Sequence, residues 1–461
     1  LKLLAHGSAK VLSSIDWSPE ELASAVTQSG DGPGQRTQTE RLDDLLLHRA
    51  WGLPLFILLL LGIFESLFVA ADPLVGLIET GQEAIGELIS QFVEPGALQS
   101  LLVDGLVAGV GSILVFLPQI VILVFFIALM ESTGYMARVA FLLDRPLSKV
   151  GLSGRSFIPM FTSFACAVPG ILATRMIADE RARLATIVTA PLMSCSARLP
   201  VYVLLLGAFF PAEWAGVLLF GLYALGVLTA ALVAWLLRRR VLVGGQGTLM
   251  MELPSYQKPN WRVVGNQVLG SSRAFVRMAG TVIFAASMLI WLLSYYPRPA
   301  VIHEAHEAQR RAVAGASERP EEALAALDAL EASAYLEQSW LATVGKAVQP
   351  VFSPAGFDWR TSVGILAAFP ARELVVPTLG ILYSVGEVDP GDYDVEGMKS
   401  DDGKDGLRQA LSASRRPDGT AAFGPGVALA LMIFFALCSQ CAGTLAAIRR
   451  ETNSWRWPIF T

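Results

Sequence analysis

Four cysteines and four histidines divide cleanly in this 461-residue sequence: Cys166, Cys195, Cys438 and Cys441 fall in apolar or interrupted apolar stretches, and every histidine lies outside them. Thiolate is a soft ligand that suits late first-row metals, whereas a carrier of phosphates or nucleosides has no use for it. Metal coordination would also release protons, because a free thiol near neutral pH is mostly protonated. A buried free cysteine packs well between helices too, so each thiol has a plain packing role as its alternative. Cys438 and Cys441 are three apart and would share one face of a helix. Two carboxylates join the candidates, Glu131 and Glu373, because ionisable groups near membrane depth are expensive and usually face the bundle interior. Arg138 follows Glu131 within two turns, which equally suits an interface, and Arg372 adjoins Glu373. Met193, with Met160, Ser194 and Ser196, could complete a coordination sphere, although methionine in an apolar helix is more often packing. His303 and His306 are expected on a solvated helix face. No phosphate-binding G-x-x-x-x-G-K-[ST] loop is present, since Gly345-Lys346 is followed by Ala347 and Gly403-Lys404 by Asp405. No nucleophile and base are paired, and an enzyme is not expected.

Positioning these groups is a membrane problem. The sequence is 53% hydrophobic and 16% charged, too apolar for a soluble chain of this length. Several runs approach the roughly 20 apolar residues that cross a hydrocarbon core of about 30 Å. They must be helices, because barrel strands are about ten residues long and alternate. Between Arg49 and Arg138 there is no Lys or Arg, and the stretch after the first run carries Asp72, Glu79, Glu83, Glu87 and Glu94. That stretch is expected outside. The clusters Arg138, Arg145, Lys149, Arg155 and Arg238, Arg239, Arg240, Lys258, Arg262 are expected in the cytoplasm.

Continuous spans are predicted over about 51–70, 111–130, 214–237, 278–296 and 427–448. Two regions are written differently. Residues 157–210 are interrupted by Pro159, Pro169, Pro191 and Pro200, and a second region from about 361 contains Pro370 and Pro377. Proline removes a backbone donor and frees a carbonyl, which lipid does not tolerate but a site or water-filled path does. Short broken helices around a site are therefore expected. Ser194–Leu199 can be laid on 440–445, and Phe164–Gly170 on Phe369–Gly380, as a weak internal repeat that would put a shared site between two halves. The predicted fold is an all-α polytopic transmembrane helical bundle with two broken-helix gate repeats. Its divisions are a polar cytoplasmic tether at 1–50 with a linker around 29–39, a first transmembrane half at 51–296, an acidic extracytoplasmic helical insert at 297–358, and a second gate with its following span at 359–461.

The motifs resemble a known family. Gly109-Val-Gly111-Ser-Ile-Leu-Val-Phe-Leu-Pro118-Gln119, Glu131-Ser-Thr-Gly134-Tyr135-Met136-Ala-Arg138 and Gly151-Leu-Ser-Gly154-Arg155-Ser-Phe-Ile-Pro159 are similar to the first gate region of FeoB ferrous iron transporters. Cys166-Ala-Val-Pro169-Gly170, Pro191-Leu-Met-Ser-Cys195-Ser-Ala-Arg198-Leu-Pro200 and Arg450-Glu451-Thr-Asn-Ser-Trp455-Arg-Trp457 extend the match from about Leu45 onward. Phe369-Pro370-Ala371-Arg372-Glu373 departs from it, since a member commonly has a small residue and Lys before Glu. The resemblance implies import of Fe(II), as transported substrate, across the bacterial inner membrane, with Cys166, Cys195, Cys438, Cys441, Glu131, Glu373 and Met193 along its path. It implies GTP and Mg only on a GTPase domain that this sequence lacks and that would act in cis or in trans. Residues 1–44 would be at most the end of its coupling region. Other implied partners are membrane lipid, small FeoA- or FeoC-like cytoplasmic proteins and further copies in a homo-oligomer, with no nucleic acid. The alternatives are a gate-type carrier of another solute, nucleoside-like, and a membrane scaffold that transports nothing.

Overall fold

The computed structural model describes residues 38–46, 48, 51–242, 255–316, 320–383, 406–415, 419, 421–439 and 441–461. Most of the linker around 29–39 and most of the polar loop predicted over 387–423 lie outside the described residues. Two compact units divide the chain, Leu1–Leu55 and Phe56–Thr461. In the first, helix α1 covers Gln38–Leu46.

Helices make up the second unit, and the described residues contain no β-strand, only an isolated bridge between Arg415 and Ala421. Among the described residues six runs are long and apolar enough to cross a membrane: Pro54–Phe92, Ala97–Ser132, Glu180–Phe209, Ala212–Arg240, Trp261–Tyr295 and Pro425–Thr452. The expected all-α polytopic bundle is the fold.

The elements differ from their predicted bounds in instructive places. Helix α2 (Gly52–Phe92) runs for 41 residues with Pro73 inside, where the sequence predicts a span to about residue 70 and a separate acidic segment. Glu79, Glu83 and Glu87 recur every four residues and so form one stripe of a single helix. Proline kinks a helix without having to end it. Helix α3 (Ala97–Ser132) carries a π segment at Leu101–Val107. Gly134, with a φ of 83°, then turns the chain into α4 (Tyr135–Lys149).

The first interrupted region is broken as expected, into α5 (Phe157–Ala165), α6 (Ala167–Ala173), α7 (Glu180–Thr189) and α8 (Leu199–Phe209). Asp179 caps α7 by accepting from the Arg181 and Ala182 amides, both at 3.2 Å. Helix α9 (Ala212–Arg240) follows. Helix α10 (Trp261–Tyr295) is continuous through a π segment at Val276–Gly280, so the predicted amphipathic stretch and the span from 278 are one element.

Residues 297–358 hold α11 (Ala300–Ala316), α12 (Pro320–Gln338) and α13 (Trp340–Phe352). His303 lies 3.1 Å from Glu331 of α12, and His306 Nδ1 is 2.8 Å from the Ile302 carbonyl. The second interrupted region comprises α14 (Trp359–Ala367), a 3-10 turn at Arg372–Leu374 and α15 (Val375–Leu382), before α16 (Gly406–Ala413). The span predicted over 427–448 is not continuous: α17 (Pro425–Leu437) and α18 (Ala442–Thr452) are separated by residues 438–441, and α19 (Arg456–Phe460) ends the chain.

One core joins the two broken regions. Helix α8 is apolar on every side, with Val201 to Leu206 at 0 to 1% exposure, and packs against α15, α16 and α17 through Val375, Leu411, Leu431 and Phe435. A helix written this way must be enclosed by protein. It therefore fixes the second broken region against the first.

Candidate functional site

Each helix break is an extended residue between helical pieces. Cys166 has φ −153° and ψ 130°, Cys195 −78° and 162°, Ala371 −146° and 133°, and Cys441 −151° and 118°. Extended backbone at these points leaves the first amides of the following turns directed back toward the break, with the positive end of each short helix. The breaks are tied in pairs. In the first half Ser196 Oγ donates to the Ala165 carbonyl at 3.3 Å. In the second the Ala442 amide donates to the Phe369 carbonyl at 2.9 Å.

A cavity of about 70 Å³ lies where these breaks meet. Cys166, Cys195, Cys441 and Met193 line it, together with Gln119 of α3 and Arg372. Three thiols from three separate breaks thus line one space. The thiols are half-buried and unpaired in disulfides, and Met193 is buried. They line the space without closing on a point: among the described residues no group of three or more His, Cys, Asp and Glu side chains is gathered closely enough to hold a metal ion.

The other candidates stand elsewhere. Cys438 does not line the cavity. It is the C-cap of α17, and Cys441 is the N-cap of α18, so the shared helical face expected from their spacing does not exist. What Cys438 contributes is its carbonyl, which accepts from Arg198 Nη2 at 3.1 Å and from Arg372 Nη2 at 2.8 Å. Glu131 is exposed at the end of α3 and accepts from Gln267 Nε2 at 2.8 Å. Glu373 is half-buried in the 3-10 turn and also stands off the cavity lining. Met160 packs with Leu152 and Ala185, and Ser194 Oγ accepts from Arg198 Nη1 at 3.2 Å.

Arg198 is the group whose importance the sequence conceals. It is wholly buried, and its guanidinium donates to the Pro191 carbonyl at 2.9 Å, the Ala436 carbonyl at 2.8 Å and the Cys438 carbonyl. Its planar fork reaches across to the open C-terminal end of α17, where helix carbonyls lack their own donors. Gln119 is a second lining residue that the sequence reading does not single out. An amide beside Pro118 in an otherwise apolar span was the available signal.

Gly170 explains how the first break closes so tightly. A Cβ there would stand 2.0 Å from Ser163 Oγ and 2.7 Å from the Pro159 carbonyl, so α5 and α6 fold against each other at a distance that only glycine allows.

Comparison with known proteins places this geometry. The family model described as Gate, nucleoside recognition, matches residues 113–209 and 276–455, which include every candidate residue above. A second, described as the ferrous iron transport protein B C terminus, matches residues 219–270. A Fe(2+) transport protein A/Fe(2+) transporter FeoB fusion protein of Porphyromonas gingivalis is 42% identical over 92% of this chain and 50% of its own length. The Fe(2+) transporter FeoB of Campylobacter jejuni is 40% identical over 79% of this chain and 56% of its own. For FeoB of Helicobacter pylori the figures are 38%, 96% and 66%. The chain thus spans half to about two thirds of the length of these relatives. No solved structure matches it. With six membrane-capable runs and these relatives, the chain is a multi-pass membrane protein.

Proposed function

Because the chain belongs to the FeoB family of ferrous iron transporters and forms part of the family's membrane region, we propose that it is the Fe(II) permease of a bacterial inner-membrane importer. The ion would pass through the cavity between the two broken regions. The observation that carries this reading is the convergence of Cys166, Cys195 and Cys441 on one space, with the Met193 thioether beside them. Thiolate and thioether suit a borderline divalent ion such as Fe(II) and give Mg(II) nothing that it prefers. The ligands would converge as the ion enters, with the thiol protons released to water. Glu131 and Glu373 would then act on the approach to the cavity, supplying harder oxygen ligands or offsetting charge. Cys438 would act through its anchored backbone, holding the turn that leads to Cys441.

The wider assembly follows the same reading. Residues 1–50 would serve as a cytoplasmic tether, 51–296 and 359–461 as the two halves around the path, and 297–358 as an outer insert. GTP and Mg would bind a GTPase domain outside this chain, in cis or in trans. The relative named as a fusion with Fe(2+) transport protein A favours a small FeoA-like partner. A homo-oligomer in lipid completes the proposal. A nucleoside carrier is not favoured, since among the described residues Gln119 is the one amide side chain that lines the cavity and a nucleobase needs several such groups.

Anaerobic alkylation of the four cysteines in membranes that carry the whole protein tests the assignment. Fe(II), but not Mg(II), should protect Cys166, Cys195 and Cys441 while leaving Cys438, which does not line the cavity, unaffected. Equal labelling with and without Fe(II) would remove the metal path from this cavity.

A further inference from the structure

We propose that Glu451 is a latch that closes the cavity on its arginine-rich side, positioning the two short helices that begin at Cys166 and Cys441. This rests on the reading of the cavity as the ion path and adds where that path shuts. The Glu451 side chain is 3% exposed and receives two guanidiniums. Arg175 donates to Oε1 through Nη2 at 2.6 Å and through Nε at 3.0 Å, and Arg183 Nη2 donates to Oε2 at 2.6 Å. Arg175 lies in the 3-10 turn Thr174–Met176 that ends α6, and Arg183 lies in α7. Glu451 lies in the last turn of α18.

Two levers therefore start in the cavity and finish at one carboxylate. From Cys441 to Glu451 the α-helical rise is about 15 Å, and α6 with the 3-10 turn after it covers about 14 Å from Cys166 to Arg175. Between these ends the helices meet along an apolar seam of Val168 and Ile171 against Ala447 and Ile448, all buried. Gly443 lets α10 come close behind the seam, since a Cβ there would lie 3.1 Å from Ala279, while Val168 at 3.6 Å would be in ordinary contact. Val168 lines the cavity and begins this seam, so on this reading an ion leaving toward Arg175 and Glu451 parts it. A seam without charge opens by sliding, whereas the bidentate pair at its end has a defined geometry and sets when that happens. Arg175 is 58% exposed and Glu451 3%, so the latch stands at the edge of the packed protein and can be broken without unfolding the core.

The test reads the sidedness of thiol labelling in the whole protein, without iron. Glu451→Gln should speed alkylation of Cys166 and Cys441 by a bulky charged maleimide added from the arginine-rich side about tenfold, with the rate from the opposite side unchanged. Arg175→Gln, which removes one half-exposed arm, should give a smaller one-sided rise, and Glu451→Asp should restore most of the closure. Unchanged rates in both Gln variants, or equal acceleration from both sides in Arg175→Gln, would overturn the latch. A one-sided rise in a protein whose cysteines Fe(II) fails to protect would uphold the latch and count against the iron assignment alone.

Discussion

Replacing Arg198 in two ways separates its charge from its shape, and the expected order runs against chemical similarity. In Arg198→Lys the positive charge stays buried, but the ammonium cannot span the Pro191, Ala436 and Cys438 carbonyls that the fork reaches together. At least two hydrogen bonds to a charged donor are lost, at about 1.5–3 kcal/mol each, so destabilisation of roughly 3–6 kcal/mol is expected. In Arg198→Met the Pro191 and Ala436 carbonyls lose the same donor, while Cys438 keeps that of Arg372. Each orphaned carbonyl costs about 1–3 kcal/mol. Against this, the penalty for holding a charge out of water, several kcal/mol for an ion, disappears. Met should therefore be the milder change by about 2 kcal/mol or more. Reversible unfolding of the purified protein in mixed micelles, followed by tryptophan emission, gives both values. If Lys proves as stable as the native residue while Met collapses, charge alone matters and the argument from the guanidinium fork is wrong.

Cys195→Ser combined with Cys441→Ser should abolish Fe(II) uptake by the whole protein at normal expression, and unchanged uptake would sink the ligand assignment. Gly170→Ala should destabilise the fold by about 1–3 kcal/mol, as overpacking against backbone does. It should also raise the alkylation rate of Cys166, measured in the same unfolding and labelling assays, because α5 and α6 must part to admit the methyl group.

What the sequence shows and what it hides follow from where each break gets its cause. Pro159, Pro169, Pro191 and Pro370 disturb their own backbone, so the interruptions near them are legible locally. The gap between α17 and α18 has no proline inside it. It is held open by Arg198 and Arg372, whose donors come from 238 and 66 residues away to the Ala436 and Cys438 carbonyls. No window of sequence contains that interaction, and a continuous span was the natural expectation. Pro73 and Pro118 show the converse, being carried inside α2 and α3 without ending them. The site follows the same rule. The segregation of thiols into membrane stretches brings up all four cysteines, of which Cys166, Cys195 and Cys441 line the cavity, and the face expected for Cys438 and Cys441 is absent because spacing means a shared face only where the helix is intact.

Helix α2 has a consequence at the far end of the bundle. At 41 residues it is about 60 Å long, twice the thickness of a hydrocarbon core, so much of it stands beyond the lipid. Along that length it carries Glu65, Asp72, Glu79, Glu83 and Glu87 and no cation of its own. A negative potential concentrates ions according to the Boltzmann factor of their charge: one kT per unit charge enriches a monovalent cation about threefold and a divalent one about sevenfold. On the reading of the cavity as an ion path, the helix would enrich divalent over monovalent cations in the water, by valence alone, before any sulfur is reached.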